Sequence, residues 1–258
     1  MKREMPYRVI LPPAYSAAPK QHASEAYPVI YLLHGLWGHF DNWTDKTKLA
    51  EYAGDHGFII VTPEGGNGWY SDNVGKQDDK YESYIIQELI PEVDKLFRTA
   101  AGRRGRAIAG LSMGGYGAIK FGLKYPEMFS LAGSFSGALG AASFTEKVRG
   151  AVGKSIDEIF GPIGSETRRS NDIFAMVRDL SPERIGAIPF IYLDCGTEDF
   201  LFQNNRDFVS LLIEKKVPHE YRHLPGAHNW AYWDAQVQEF LRVAARQVMK
   251  IEATKPNG

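Results

Sequence analysis

The chain has 258 residues, near the upper limit for one hydrophobic core, and its 44% apolar and 24% charged residues describe an ordinary globular composition. With 30 basic and 31 acidic side chains the formal net charge is −1, and no basic stripe or acidic tail stands out. Nucleic acid and anionic membrane surfaces are therefore excluded as expected partners. The single cysteine, Cys195, excludes an intramolecular disulfide and a multi-cysteine metal site, and its apolar neighbours "FIYLDCG" mark it as a buried packing residue.

The start "MKREMPYRVILPP" is positively charged but has no apolar stretch of the signal-peptide kind, and no run of about 18 apolar residues follows anywhere. A cytoplasmic protein without a membrane span is the expectation. A first strand is expected at 7–11. The next, "VIYLL" at 29–33, is continuously apolar and leads into the loop "HGLWGHFDNW". A helical pattern over 45–57 ends on Gly57, a residue suited to the left-handed position after a helix. A strand at 59–62 opens the loop "TPEGGNGWYSD", whose glycines lack the Lys-Ser/Thr of a phosphate-binding loop. Over 81–97 the apolar positions follow the 3.6-residue period, and Pro91 predicts a kink or break.

The strand at 106–109 meets "IAGLSMGGYGA", in which Gly110, Ser112 and Gly114 form G-x-S-x-G before a helix over 114–126. A sharp strand-to-helix turn strains the serine, and side chains two residues away on either side would collide, so glycine at both places removes the collision. Strands at 131–135, 190–194 and 220–224 follow, with helices over 204–216 and 232–251. The polar segment of about 137–186 breaks the alternation and holds only short helical patterns around Val148 and Ala175. It is too short for its own core, so one domain over 1–258 with a short cap-like insertion is expected. The apolar runs are those of strands covered on both faces, which predicts an α/β fold.

A serine at its ordinary pKa needs an adjacent base, oriented by a third group. In the α/β-hydrolase arrangement the order is Ser, acid, His, with both partners on loops at the carboxyl ends of strands. After "PFIYLD" the loop "CGTEDFLF" offers Asp199, with Asp194 at the strand end and Glu198 beside it as alternatives. After "EYRHL", His228 stands on "PGAHNWAYW". His219 and His223 belong to the strand, whereas His22, His39 and His56 precede the serine. Oxyanion donors are expected from the N–H groups of Met113 and Leu36, with Gly35 permitting close approach and His34 shaping the loop. Trp69 and Tyr70 either line the pocket or pack against the serine turn, and Trp230 also bears on pocket shape.

Together, "YLLHGLWGHFDNW", "GGNGWYSD", "YIIQELIPEVDKLF", "IAGLSMGGYGA", "CGTEDFLF" and "PGAHNWAYW" resemble the putative-esterase family of α/β-hydrolases, over about residues 6–248. That family includes tributyrin-type, feruloyl and acetylxylan esterases, S-formylglutathione hydrolases and antigen 85 mycolyltransferases. The resemblance implies an α/β-hydrolase fold with a mostly parallel central sheet, helices on both faces and a small excursion after the sixth strand. It places the nucleophile on Ser112, the acid on Asp199, the base on His228 and the oxyanion donors on Leu36 and Met113. The chain departs from many relatives in lacking an extra N-terminal strand, which predicts a shortened or exposed sheet edge. It also lacks cysteine-rich surroundings of the S-formylglutathione hydrolase kind.

The expected activity is a serine carboxylesterase acting on a small-molecule ester with a small to medium acyl group, requiring no metal or cofactor. The alternatives are a feruloyl or acetylxylan-type esterase and an S-formylglutathione hydrolase-like thioesterase. A binding-only relative is the rival from another class, but such proteins usually have damaged triads.

Overall fold

All seven expected strands occur in the computed structural model, which describes residues 1–17 and 26–248. They are β1 (Tyr7–Ile10), β2 (Val29–Leu33), β3 (Ile59–Pro63), β4 (Arg106–Leu111), β5 (Leu131–Phe135), β6 (Phe190–Gly196) and β7 (His219–Leu224). One sheet holds them in the order β1-β3-β2-β4-β5-β6-β7. Only β1 runs antiparallel, pairing with β3 at one edge; its four residues are all partly exposed. β2, β3 and β4 are buried at every position, as expected for strands covered on both faces.

Around the sheet lie α1 (Leu49–Gly54), α2 (Ile90–Leu96), α3 (Met113–Lys124), α4 (Glu146–Phe160), α5 (Ile173–Arg178), α6 (Phe202–Glu214) and α7 (Trp230–Gln247). The two-residue period of the strands divides the core into two layers. Val29, Tyr31, Leu33, Val61 and Ile108 meet α2, α3 and α6 on one face. Ile30, Leu32, Ile60, Ala107 and Ala109 meet α1 and α7 on the other. Each fully buried Val, Leu or Ile contributes about 1.5–3 kcal/mol, so the inner strands stabilise the fold most per residue.

Three expectations differ from what the structure shows. The pattern over 45–57 is two short helices, Asn42–Lys46 and α1, because Thr47 turns extended and its hydroxyl accepts the Leu49 N–H. Of the kink or break expected at Pro91, the structure shows no break, since helical φ/ψ continue from Leu89 into α2. The turns before it, Tyr84–Leu89, widen into a π-helix, which carries the carbonyls past the ring that would otherwise strike the one four residues back. The excursion follows the fifth strand, not the sixth, because only four described strands precede β5. Residues 249–251 of the last expected helix lie outside the described residues, as does His22.

The excursion between β5 and β6 shares the sheet's apolar layer through Phe144, Ile156, Phe160, Ile173 and Val177. Phe174 of α5 packs edge-on against Phe208 of α6, with centroids 5.0 Å apart. Arg168, only 3% exposed, binds the carbonyls of Ala142, Phe144 and Gly161 at 2.9–3.0 Å and pairs with Asp157 at 2.5 Å. One guanidinium thus satisfies the carbonyls of a segment too irregular to pair them itself.

A second buried cation anchors α3. The Lys120 ammonium donates to the Tyr70 carbonyl, the Ser71 hydroxyl and the Glu82 carboxylate at 2.6–2.8 Å, and to Asn171 at 3.2 Å. Lys124 and Tyr125 complete the shell of Glu82. Burial opposes ionisation of Glu82, but the charges of Lys120 and Lys124 outweigh it and hold the carboxyl down to about 2. A carboxyl depressed on folding stabilises the protein above its unfolded pKa and loses that contribution as pH falls through the folded value. Urea unfolding should therefore show stability dropping between about pH 4.5 and 2, and Glu82→Gln should flatten that drop. Lys120→Met, which strands the buried carboxylate, should cost about 3–5 kcal/mol at neutral pH.

Candidate active site

β2 and β4 are neighbours, with Leu33 beside Gly110, yet β2 leads out to β3 on one side and β4 to β5 on the other. Such a reversal leaves a crevice beyond the carboxyl ends of the two strands. The loop after β2 and the turn after β4 both open into it. Ser112 forms that turn, at φ 53° and ψ −114°, a conformation that L-residues rarely adopt. Its N–H donates to the Phe135 carbonyl at 2.9 Å, and its own carbonyl accepts from Ala138 at 3.0 Å and Tyr116 at 3.1 Å. The two glycines leave room for this turn. A Cβ on Gly110 would lie 2.5 Å from the Gly114 backbone, and one on Gly114 would lie 2.6 Å from the carbonyl oxygens of Leu33 and His34.

The loops after β6 and β7 are zipped together. Thr197 N–H donates to the Leu224 carbonyl at 2.9 Å, and Glu198 N–H to that of Gly226 at 2.9 Å. The Glu198 carboxylate accepts the Gly226 N–H, so this residue straps the two loops together. The zipper brings His228 Nδ1 to 2.8 Å from Asp199 Oδ2, and His228 Nε2 to 3.0 Å from Ser112 Oγ. Asp199 Oδ1 accepts the Leu201 N–H at 2.8 Å, which fixes the carboxylate plane. Burial raises the Asp199 pKa, but the hydrogen bond and charge of His228 and the Leu201 N–H outweigh it, so the carboxyl stays below its usual range.

Asp194 sits differently. It is fully buried in the sheet, its oxygens make no hydrogen bond of normal geometry, and burial pushes its pKa well above the carboxylate range. Asp194 makes no hydrogen bond to His228, whose Nδ1 lies on Asp199 instead. Of the other histidines, His219 and His223 stay on β7, and His34 works in the loop after β2. Its Nε2 accepts the Gly65 N–H at 2.8 Å, and Nδ1 donates to the Gly35 carbonyl at 2.7 Å.

Packing fixes His228 from behind. The edge of Trp233 meets the His228 ring at 4.9 Å, Trp230 crosses Trp233 at 5.2 Å, and Trp43 crosses Trp230 at 5.5 Å. The Trp43 indole N–H ends the series on the Leu33 carbonyl at 3.0 Å, where β2 enters its loop. Leu36 and Met113 flank the serine from two sides, and neither backbone N–H has a protein acceptor among the described residues. Met113 is the first residue of α3, where helix geometry leaves such donors free.

A cavity of about 470 Å³ opens on Ser112 and His228. Gly35, Trp69 and Trp230 line it. Tyr70, expected either in the pocket or against the serine turn, takes the second place. It is fully buried against Gly117 of α3, and its hydroxyl donates to the His34 carbonyl at 3.0 Å. Its assignment as a substrate contact is thereby corrected, because the ring fills the space a glycine leaves on the helix.

Sequence reasoning missed Trp37 and Phe200, which line the cavity while 71% and 67% exposed, Phe200 lying 4.7 Å from the His228 ring. Aromatics in the polar loops "HGLWG" and "EDFLF" were the available signal. Among the described residues no cluster of His, Cys, Asp or Glu could hold a metal ion, and no helix is long and apolar enough to cross a membrane.

Comparison with known proteins places this geometry. The family described as Putative esterase matches residues 1–243. The acetyl esterase of Caldicellulosiruptor saccharolyticus is 32% identical over 219 residues, 83% of this chain and 82% of its own. Among solved structures, a ferulic acid esterase superposes with a TM-score of 0.79 at 28% identity, over 94% of this chain and 92% of that one. A substrate-bound, fluorophosphonate-binding serine hydrolase of Staphylococcus aureus gives 0.81 at 27% identity, over 93% and 91%.

Asp199→Asn and Asp194→Asn should separate the two carboxylates by steady-state kinetics. Asp199→Asn removes the acceptor that selects the Nδ1–H tautomer and should lower kcat roughly a thousandfold or more. Asp194→Asn changes a buried side chain that makes no hydrogen bond to His228 and should leave kcat within about tenfold.

Proposed function

Because this chain belongs to the Putative esterase family and is a carboxylic ester hydrolase of the serine hydrolase class, we propose that it cleaves small to medium acyl esters through an acyl-enzyme on Ser112. The observation that carries this reading is the continuous line from Asp199 through His228 to Ser112 Oγ, with both links within 3.0 Å.

In the proposed reaction, Asp199 holds the His228 Nδ1–H, which leaves Nε2 free to accept the Ser112 hydroxyl proton. The oxygen attacks the ester carbonyl, and the resulting oxyanion is received by the N–H groups of Leu36 and Met113. Each such donor lowers the barrier by about 3–4 kcal/mol in comparable acyl transfers. Collapse breaks the bond to the alcohol, which leaves with the proton from His228. Water, giving a proton to His228 in turn, attacks the acyl carbon. The second collapse releases the carboxylic acid and returns the proton to Ser112. The strained turn supports this assignment of roles, because it holds the hydroxyl clear of its own backbone and beside the start of α3.

Acyl size is argued from the cavity, whose volume suits a ligand of modest size. Its aromatic walls favour a second reading, a phenolic acyl group of the kind named for the ferulic acid esterase.

A fluorophosphonate probe should label the native protein on Ser112 and fail to label Ser112→Ala, as read by mass spectrometry. Ser112→Ala should lose roughly ten-thousandfold or more in kcat while keeping its circular dichroism; an active alanine variant would sink the assignment. A panel of p-nitrophenyl esters from acetate to palmitate, with methyl ferulate and a thioester, distinguishes the acyl readings. Short and medium chains should dominate; methyl ferulate should overtake them if the aromatic walls decide.

A further inference from the structure

The charges that line the cavity are unbalanced. Apart from His228, Lys46 and Arg149 are the only ionisable side chains among the described residues on its walls, and no described carboxylate lines it. The Asp199 carboxylate lies behind His228 with none of its side chain exposed. Neither Lys46 nor Arg149 forms an ion pair among the described residues. Asp45, the acid nearest to Lys46 in the chain, is taken by Arg8 at 2.6 Å.

Both cations are instead seated on aromatic walls. Lys46 Nζ lies 5.2 Å from the centre of the Trp230 ring, and the Arg149 guanidinium lies 4.9 Å from that of Phe144. Such seating restrains a long side chain and leaves its N–H donors unspent. The backbone around Arg149 adds an independent observation. α4 is broken there, Arg149 at φ −131° and Gly150 at φ 54°, so two helical turns do not run on in one direction. The break lies where the helix borders the cavity, and Arg149 is the charged residue it carries. An apolar cavity with two unpaired cations and no acid on its walls attracts an anion.

We propose that the preferred substrate is an ester bearing a carboxylate on its acyl or its alcohol part, and that Lys46 and Arg149 receive that charge. This rests on the esterase reading above and narrows its substrate class. Both cations are solvent-exposed, so each interaction is worth about a two- to fivefold change and weakens with salt.

Two matched pairs of esters test it at low ionic strength. p-Nitrophenyl hemiglutarate against p-nitrophenyl butyrate places the charge on the acyl part, and p-acetoxybenzoate against phenyl acetate places it on the alcohol part. The readout is the ratio of kcat/KM, charged over neutral, normalised to the Lys46→Ala/Arg149→Ala double variant to remove intrinsic reactivity. For at least one pair the wild-type ratio should exceed that of the double variant about tenfold, with each single variant between. Lys46→Arg and Arg149→Lys should keep most of the preference, and roughly 0.5 M salt should shrink it in the wild type alone.

Equal ratios in wild type and double variant for both pairs overturn the proposal. Hydrolysis of none of the four esters would instead overturn the esterase reading. Quenching of tryptophan fluorescence by p-nitrophenyl hemiglutarate, compared between Ser112→Ala with and without the two cations, then still decides the charge site. Weaker binding without them supports it, and equal binding overturns it.

Discussion

The turn at Ser112 is the constraint on which the rest of the site depends. A residue at φ 53° persists only if its surroundings over-determine it, and here three backbone hydrogen bonds and two missing Cβ atoms do so. One of the bonds comes from β5, another joins the turn to the excursion, and the third starts α3. The conformation is therefore held by the sheet, by the insertion and by the helix together. Strain of about 1–3 kcal/mol at one residue is offset by burying the strands that flank it.

Each other component is oriented toward that turn by an interaction of a different kind. The loops after β6 and β7 are joined by main-chain hydrogen bonds and by the Glu198 strap, which puts Asp199 and His228 in reach of each other. Indoles crossing edge to face run from behind His228 to the end of β2 and so link His228 to the loop that carries Leu36. Lys120 fastens the Trp69–Tyr70 loop to α3 from below. Of the six described non-glycine residues with positive φ, five, Trp37, Trp69, Tyr70, Ser112 and Ser136, lie in the loops around the crevice, and Lys216 follows α6 elsewhere. Rigid strands hold the site's position, while strained loops shape its walls.

The excursion supplies what the sheet cannot. Phe144, Arg149 and Val152 close one side of the cavity; Phe144 comes from the loop before α4, and Arg149 and Val152 from α4 at and just after its break. Arg168 compensates for that irregularity by pairing its carbonyls from within. This wall of the cavity thus belongs to a part of the chain whose geometry depends on one buried guanidinium and on apolar contacts to α3 and α6.

Much of this was legible in the residues themselves. Continuous apolar runs such as "VIYLL" and "RAIAG" located the inner strands, because only strands buried on both faces need every side chain apolar. The spacing of Gly110, Ser112 and Gly114 marked the turn, because steric exclusion there is local. What local chemistry could not separate were Asp194, Asp199 and Glu198, three carboxylates within six residues. One is buried within the sheet, one lies beside His228, and one straps two loops, and those differences arise from the pairing of β6 with β7. Lys46 and Arg149 were equally silent, since nothing near them in the chain indicates a common cavity. The sequence by itself determined the sheet, its layers and the serine turn, whose physics acts over a few residues. Only the tertiary structure decided which carboxylate meets the histidine and which side chains line the cavity, because those depend on loops brought together across the ends of different strands.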